Sequence, residues 1–249
     1  MKKIGIVGGI AWPSTVLYYS ELCRRGEQRH LAHNLPGTPA TPEFSIESLD
    51  LAKVVSYFGA DGNEESWANF DAYHRDALKR LEANGADFAL MASNTPHHRF
   101  ESIVRGIGIP VLNLLDVVAK ECVRIGVRQI LLLGTAVTMK SPRFREEFAK
   151  YGIEAAGPHD EAAGTMTVDL IADLQLGKLA GAPERIMNIV KLSWSPQHTA
   201  RPAVCLACTE LPLAFETMKT LATFEHGGVL FINTPVIHIN AVFDLAIEQ

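Results

Sequence analysis

Ala203-Val204-Cys205-Leu206-Ala207-Cys208-Thr209-Glu210-Leu211-Pro212-Leu213 is an apolar run that ends abruptly in a thiol, a hydroxyl and a carboxylate. A short run of small and branched apolar residues, preceded by Pro202 and followed by polar ones, predicts a buried strand leading into a turn. Cys208 then stands where the strand ends. In open parallel α/β sheets the crevice beyond the carboxyl ends of the strands is where ligands bind, so a reactive group there is well placed. A free cysteine is also among the most buried residue types and often only fills space. Cys208 by itself therefore assigns no function, and the rest of the chain has to be weighed with it.

Strand and helix patterns alternate on both sides of this run. Lys2 to Val7 reads as a short apolar strand, Gly8-Gly9 as a turn where backbone can approach a ligand closely, and Val16, Leu17, Tyr19, Leu22 and Cys23 as a helix with Pro13 in its first turn. Three prolines and a glycine make His30 to Pro42 a loop, and Phe44 and Ile46 alternate with polar residues toward Leu49-Asp50. After a break at Asp61-Gly62-Asn63, a helix is predicted with Trp67, Phe70, His74, Ala77, Leu78 and Leu81 on one face and Gly85 as its stop. Asp87 to Ala92 is then a buried strand ending in the polar turn Ser93-Asn94-Thr95-Pro96-His97, where Pro96 can start the next helix.

The second half repeats the theme. Ile109 to Leu112 predicts a strand, Leu115 to Arg124 a helix, and Arg128 to Gly134 an apolar strand entering the turn Gly134-Thr135. Ser141-Pro142 reads as a helix cap with proline at the first helical position, and Gly152 as that helix's end. Helical patterns at Val168 to Leu176 and Glu184 to Trp194 lead to the Ala203 strand, followed by a last strand at Val229 to Ile232 and a helix at Pro235 to Ile247. Such alternation argues for parallel sheets covered by helices on both faces. The strand, glycine turn and helix at Lys2 to Leu22 recur at Arg128 to Lys150, and the strand with a polar end at Asp87 to Thr95 recurs at Ala203 to Glu210. Two such α/β halves facing one another would put Ser93 and Cys208 on opposite walls of a cleft. The division expected is 1–112 with 230–249 for the Ser93 side and 113–229 for the Cys208 side.

Composition bounds the function. A chain of 249 residues, 47% hydrophobic and 20% charged, has room for two domains of roughly 100 to 150 residues and is not disordered. A net charge of -5 and scattered Lys and Arg argue against a nucleic-acid surface. The apolar stretch at the N-terminus is broken by glycines and too short for a signal segment, and no window approaches the roughly 20 apolar residues that span a bilayer. The expectation is a cytoplasmic protein with no membrane partner. Cys23, Cys122, Cys205 and Cys208 are too few for a disulfide framework and are expected to be free.

Two proton-handling groups on opposite walls suit chemistry that needs a base on one face of a carbon and an acid on the other, and racemisation is the simplest such reaction. A cysteine near its ordinary pKa of about 8.5 can serve once nearby backbone N–H groups or a helix N-terminus lower it. Serine is much poorer without an adjacent base. Backbone N–H groups at the Ser93-Asn94-Thr95 and Cys208-Thr209-Glu210 turns favour an anionic substrate group, while Asn94, Thr95 and Thr209 can equally be ordinary helix caps. Gly5-Ile6-Val7-Gly8-Gly9 lacks the spacing of a dinucleotide site. Cys205-Leu206-Ala207-Cys208 has redox spacing, but Cys205 lies inside the strand and reads as core. His97-His98, His159, His198 and His238 show no metal-binding arrangement, and His97 and His98 read as surface or supporting residues.

Taken in order, Gly8-Gly9, Trp12, Ser14-Thr15, Tyr18-Tyr19, Ser93-Asn94-Thr95-Pro96-His97, Gly134-Thr135 with Met139, Cys208-Thr209-Glu210-Leu211 and Asn233-Thr234-Pro235 to His238 make the chain resemble the aspartate/glutamate racemase family over nearly its whole length. The resemblance implies two pseudo-symmetric α/β domains with the active site between them, no pyridoxal phosphate and no metal. It also implies a two-cysteine mechanism acting from opposite faces of the amino acid. Cys208 matches the second-domain cysteine, and the first-domain position is Ser93. A serine there fits a racemase of weakened or biased direction, an inactivated form, or the single-cysteine pattern of related decarboxylases and cis-trans isomerases. No arginine stands near Phe44 to Asp50, where some members hold the distal carboxylate. The reading is an acidic amino-acid racemase with Cys208 and Ser93 as catalytic pair and Gly9, Asn94, Thr95, Thr135 and Thr209 binding substrate. It needs no cofactor and is expected to be a homodimer; the other class to weigh is a non-catalytic small-molecule binding protein.

Overall fold

The computed structural model describes residues 1–60, 62–193 and 203–248; Asp61, Trp194, His198 and Pro202 lie outside the described residues. The chain divides into two compact units, Met1–Asn113 with Ile239–Gln249, and Leu114–His238.

In the first unit, β1 (Ile4–Gly8), β2 (Phe44–Ser48) and β3 (Phe88–Met91) form a parallel sheet in the order β2-β1-β3. The predicted strand at Ile109 to Leu112 shrinks to a single parallel bridge between Val111 and Ala89. The connections carry α1 (Trp12–Ala32), α2 (Leu51–Ser56), α3 (Ala68–Ala83) and α4 (Phe100–Ile103). Ile4, Ile6, Phe88 and Leu90 of the sheet pack with Tyr18 and Leu22 of α1 and with Ile239 and Val242 from the chain's last helix. Phe70, His74, Ala77, Leu78 and Leu81 are the buried face of α3, as their spacing predicts.

The second unit contains α5 (Leu114–Arg124), β4 (Gln129–Gly134), α6 (Ala136–Lys140), α7 (Pro142–Ala149), β5 (Glu154–Ala156), α8 (Glu161–Gln175), α9 (Ala182–Ser193), β6 (Ala203–Ala207), β7 (Thr223–His226), β8 (Val229–Asn233) and the start of α10 (Thr234–Ile247). Its sheet runs β5-β4-β6-β8-β7, parallel except for β7, which pairs antiparallel with β8. Side chains alternate between faces along each strand. Leu131, Leu133, Val204, Leu206 and Phe231 therefore pack under α8 and α9 in one apolar cluster. Ile130, Leu132, Cys205 and Ile232 pack with α5 and α7 in the other. A sheet buried on both faces gives the three layers expected of parallel α/β architecture.

The first three strands of each unit follow one plan. The strand with the glycine turn lies in the middle (β1, β4), flanked by the next strand in sequence (β2, β5) and by the strand with the polar end (β3, β6). The return to the first unit comes at Ile239, later than the expected 230, because β8 pairs with β6 through Cys205 opposite Ile232 and keeps its residues in the second sheet. β5, β7 and α6 carry no periodic apolar pattern and were not expected.

Candidate active site

The centre of each sheet delivers functional groups at its carboxyl edge. In the first unit β1 ends at Gly8 and the chain turns at Gly9, whose φ of 82° lies in the left-handed region. A Cβ on Gly9 would come within 2.2 Å of the Leu49 carbonyl oxygen, so glycine is required for both conformation and space. Thr15 Oγ1 accepts the Gly9 N–H at 2.9 Å and closes the turn. On the adjacent strand β3, the Ala92 N–H donates to the Val7 carbonyl, which registers the following Ser93-Asn94-Thr95 beside the Gly9 turn. Ser93, Asn94 and Thr95 are all buried. The helix expected after Pro96 is a short 3-10 turn, Thr95–Arg99, and Asn94 at its head makes no side-chain cap.

That turn is anchored from behind. Arg99 donates from Nε and Nη2 to the two carboxylate oxygens of Asp71 on α3, at 3.1 and 2.9 Å, and from Nη1 to Glu64 at 2.6 Å. Both Arg99 and Asp71 are buried, whereas the Glu64 side chain is 81% exposed. Trp67 stands 5.8 Å from the guanidinium and 5.1 Å from the His98 ring. Of the two places the sequence allowed, surface or supporting, His97 takes the second. It is fully buried, with Nδ1 3.3 Å from Asn113 Oδ1 and its ring stacked on Phe100. Burial pushes its pKa down to about 4, and that of His74 to about 4 as well, so both are neutral near pH 7. Ser93 brings a hydroxyl, which ionises poorly near neutral pH without an adjacent base.

In the second unit Gly134 ends β4 opposite Ala207 at the end of β6, and a Cβ there would meet the Ala207 carbonyl oxygen at 2.6 Å. This close approach sets Thr135 beside Cys208. Thr135 is the N-cap of α6, its Oγ1 accepting from the Thr138 N–H at 3.3 Å and lying 3.1 Å from the Thr138 hydroxyl. Cys208 follows β6 directly, buried on the face of α8 and α9, while Cys205 packs on the opposite face. The thiol donates to Glu210 Oε2 at 2.8 Å, and the Thr209 hydroxyl donates to the same oxygen at 3.1 Å.

Burial, then the charge and hydrogen bond of Glu210, push the Cys208 thiol well above its ordinary pKa; backbone N–H groups of Glu210 and Thr209 pull it the other way and are outweighed. The expectation of a thiol lowered by backbone donors is thus reversed. Those donors are present, but the thiol is desolvated beside a carboxylate, and the helix after it is only the four-residue 3-10 turn Leu211–Ala214 with little dipole to offer. A cavity of about 420 Å³ opens beside α6, lined by Met139, Lys140, His159, Asp160 and Val168 among others; Cys208 does not line it. Among the described residues no three His, Cys, Asp or Glu side chains are gathered as a metal site.

Each unit therefore gathers its own set at the ends of adjacent central strands: Gly9, Ser93, Asn94 and Thr95 in one, Thr135, Cys208 and Thr209 in the other. The model of the Asp/Glu/Hydantoin racemase family matches residues 7–242, a span that includes both sets. The chain belongs to that family. An aspartate racemase homologue from Pyrococcus horikoshii OT3 is 30% identical over the full length of both chains, with a TM-score of 0.74. Two more distant structures share the fold. The aspartate racemase of Picrophilus torridus is 20% identical with a TM-score of 0.70, covering 100% of this chain and 96% of that one. The glutamate racemase of Campylobacter jejuni is 16% identical with a TM-score of 0.63, covering 98% and 85%. Glu210, Asp71 and Arg99 are the buried polar groups beside the two turns that sequence reasoning missed. Glu210 was visible in the strand-end motif, but no spacing rule couples it to the thiol two residues earlier.

Proposed function

We propose that this chain is a cofactor-independent racemase of aspartate or a related acidic amino acid, and that the two strand-end sets serve one substrate. Cys208 takes and returns the Cα proton on one face, and Ser93 occupies the position for the other. Asn94, Thr95, Thr135 and Thr209 supply hydroxyl, amide and backbone groups to the α-carboxylate and amino group, and Gly9 lets backbone come close to them. The observation that carries this reading is the equivalent placement of Ser93 and Cys208, each just past the strand next to its unit's glycine-turn strand, in a chain of the racemase family. A homodimer in the cytoplasm is part of the same proposal.

The chemistry is asymmetric. A thiol is acidic enough to trade protons with carbon when paired with a carboxylate, whereas a hydroxyl without a base is a weak donor and a weaker base. Ser93→Cys is expected to raise turnover or to make the two directions more equal, and Cys208→Ala to abolish it. Chiral chromatography after incubation with L-aspartate or L-glutamate, in both directions, reads the result. An unchanged rate in Cys208→Ala removes the thiol from the mechanism. Turnover of a malonate or of maleate, with none of either amino acid, favours the single-cysteine decarboxylase or isomerase that Ser93 also fits.

A further inference from the structure

Glu210 is 3% exposed, and its two oxygens are unequally used. Oε2 accepts from the Cys208 thiol and the Thr209 hydroxyl, while Oε1 is buried with no partner among the described residues. Leaving a buried carboxylate oxygen unpaired costs about 1–3 kcal/mol or more, so a purely structural role explains the arrangement poorly. The paired oxygen is 2.8 Å from sulfur, within reach of proton transfer. Glu210 is also the one titratable side chain that acts on the Cys208 thiol among the described residues.

We infer that Cys208 and Glu210 work as a couple sharing one proton, so that this protein exchanges the Cα proton on the Cys208 face, with retention, faster than it inverts the amino acid. The inference rests on the racemase reading above. The thiol proton passes to Glu210 Oε2 and leaves a thiolate. The thiolate takes the Cα proton, forming S–H as Cα–H breaks, and the electron pair stays on Cα and spreads into the substrate carboxylate. The couple now holds two protons and trades one with water. The sulfur then returns a proton to the same face of Cα, restoring the starting configuration, and Glu210 gives its proton back to the thiolate. Inversion instead needs delivery from the Ser93 face, where the serine hydroxyl is a far weaker acid than a thiol. A symmetric pair of thiols has no such bias, because each face can complete what the other begins.

The test is performed on the whole protein in deuterated water with each enantiomer of aspartate and of glutamate, following label at Cα by mass spectrometry and configuration by chiral chromatography. With one enantiomer, deuterium is expected in recovered, uninverted amino acid at least about tenfold faster than the opposite enantiomer appears. Glu210→Gln is expected to slow that exchange by about 10²-fold, the usual size of a general-base contribution, and Glu210→Asp to restore part of it. An arm without substrate follows iodoacetamide alkylation of the Cys208 peptide against pH. Removing the carboxylate is expected to move its midpoint to lower pH, which loss of packing alone does not do. Label that appears only in inverted product, or a Glu210→Gln protein with unchanged exchange and an unchanged alkylation profile, overturns the inference. If the wild-type chain neither exchanges nor inverts any of the four substrates, the racemase reading fails for them, and the alkylation arm still decides whether Glu210 controls the thiol.

Discussion

Replacing Asp71 by alanine removes the buried carboxylate that pairs with Arg99. The guanidinium keeps Glu64, but that side chain is 81% exposed, and an ion pair of that kind contributes about 0–1 kcal/mol. What remains is a buried cation stripped of two hydrogen bonds of 3.1 and 2.9 Å. Breaking one side of a buried pair costs about 3–5 kcal/mol, because the survivor stays desolvated. For a chain of this size about 1 kcal/mol lowers the melting temperature by about 2–4 °C, so a fall of about 6 °C or more is expected. Arg99→Met strands the Asp71 carboxylate and is expected to cost a similar amount. The double variant Asp71→Ala/Arg99→Met leaves neither charge of the pair behind and is expected to cost less than either single change, a coupling of at least about 2 kcal/mol. Urea denaturation of the four proteins at pH 7 measures all of these. Single variants within about 0.5 kcal/mol of wild type, or a double variant equal to the sum of the singles, would refute the view that this pair anchors the turn behind Ser93.

Further outcomes follow from the same geometry. His74 and His97 have folded pKa values of about 4 against 6.5 in an unfolded chain, so unfolding takes up protons as the pH falls through this window. Stability should be full above about pH 6.5 and decline as pH drops toward 4, by about 3 kcal/mol for each histidine, and His74→Gln should roughly halve the slope of unfolding free energy against pH. Gly9→Ala should lose about 2 kcal/mol or more, measured by urea denaturation, since φ is 82° and the new Cβ would lie 2.2 Å from the Leu49 oxygen. Cys205→Ala should leave turnover within about twofold while costing about 1 kcal/mol of stability, because Cys205 packs in the core on the face opposite Cys208; a loss of activity as deep as that of Cys208→Ala would contradict this division of labour.

β3 and β6 were legible because buried parallel strands are continuous apolar runs, and both end in recognisable polar turns at Ser93 and Cys208. The face of α3 was legible from its 3.6-residue period, and the Ser141-Pro142 cap from local chemistry, with Ser141 accepting from the Phe144 N–H. Edge elements were not. β5 is three residues with one buried, and β7 runs antiparallel at the sheet edge, so neither has an apolar run to betray it. His97 could be read as a surface or a supporting residue, and it is buried because the turn after β3 folds it against Asn113 and Phe100, a tertiary contact with no local signature. The Cys208–Glu210 contact escaped for a similar reason: residues two apart point to opposite sides of a helix, and in the turn after β6 the two side chains meet. That turn also reverses the expected thiol chemistry: burial and the neighbouring Glu210 push the Cys208 thiol up where an easily ionised thiol was expected.

The most direct test of the account is the Cα proton itself. L-aspartate and L-glutamate are incubated with the wild-type chain and with Cys208→Ala in deuterated water, and D-isomer and Cα label are measured together. The account predicts D-isomer carrying deuterium from at least one of the two amino acids with the wild type, and neither product with Cys208→Ala. Unlabelled substrate of unchanged configuration with the wild type, or labelled D-isomer from Cys208→Ala, would contradict it.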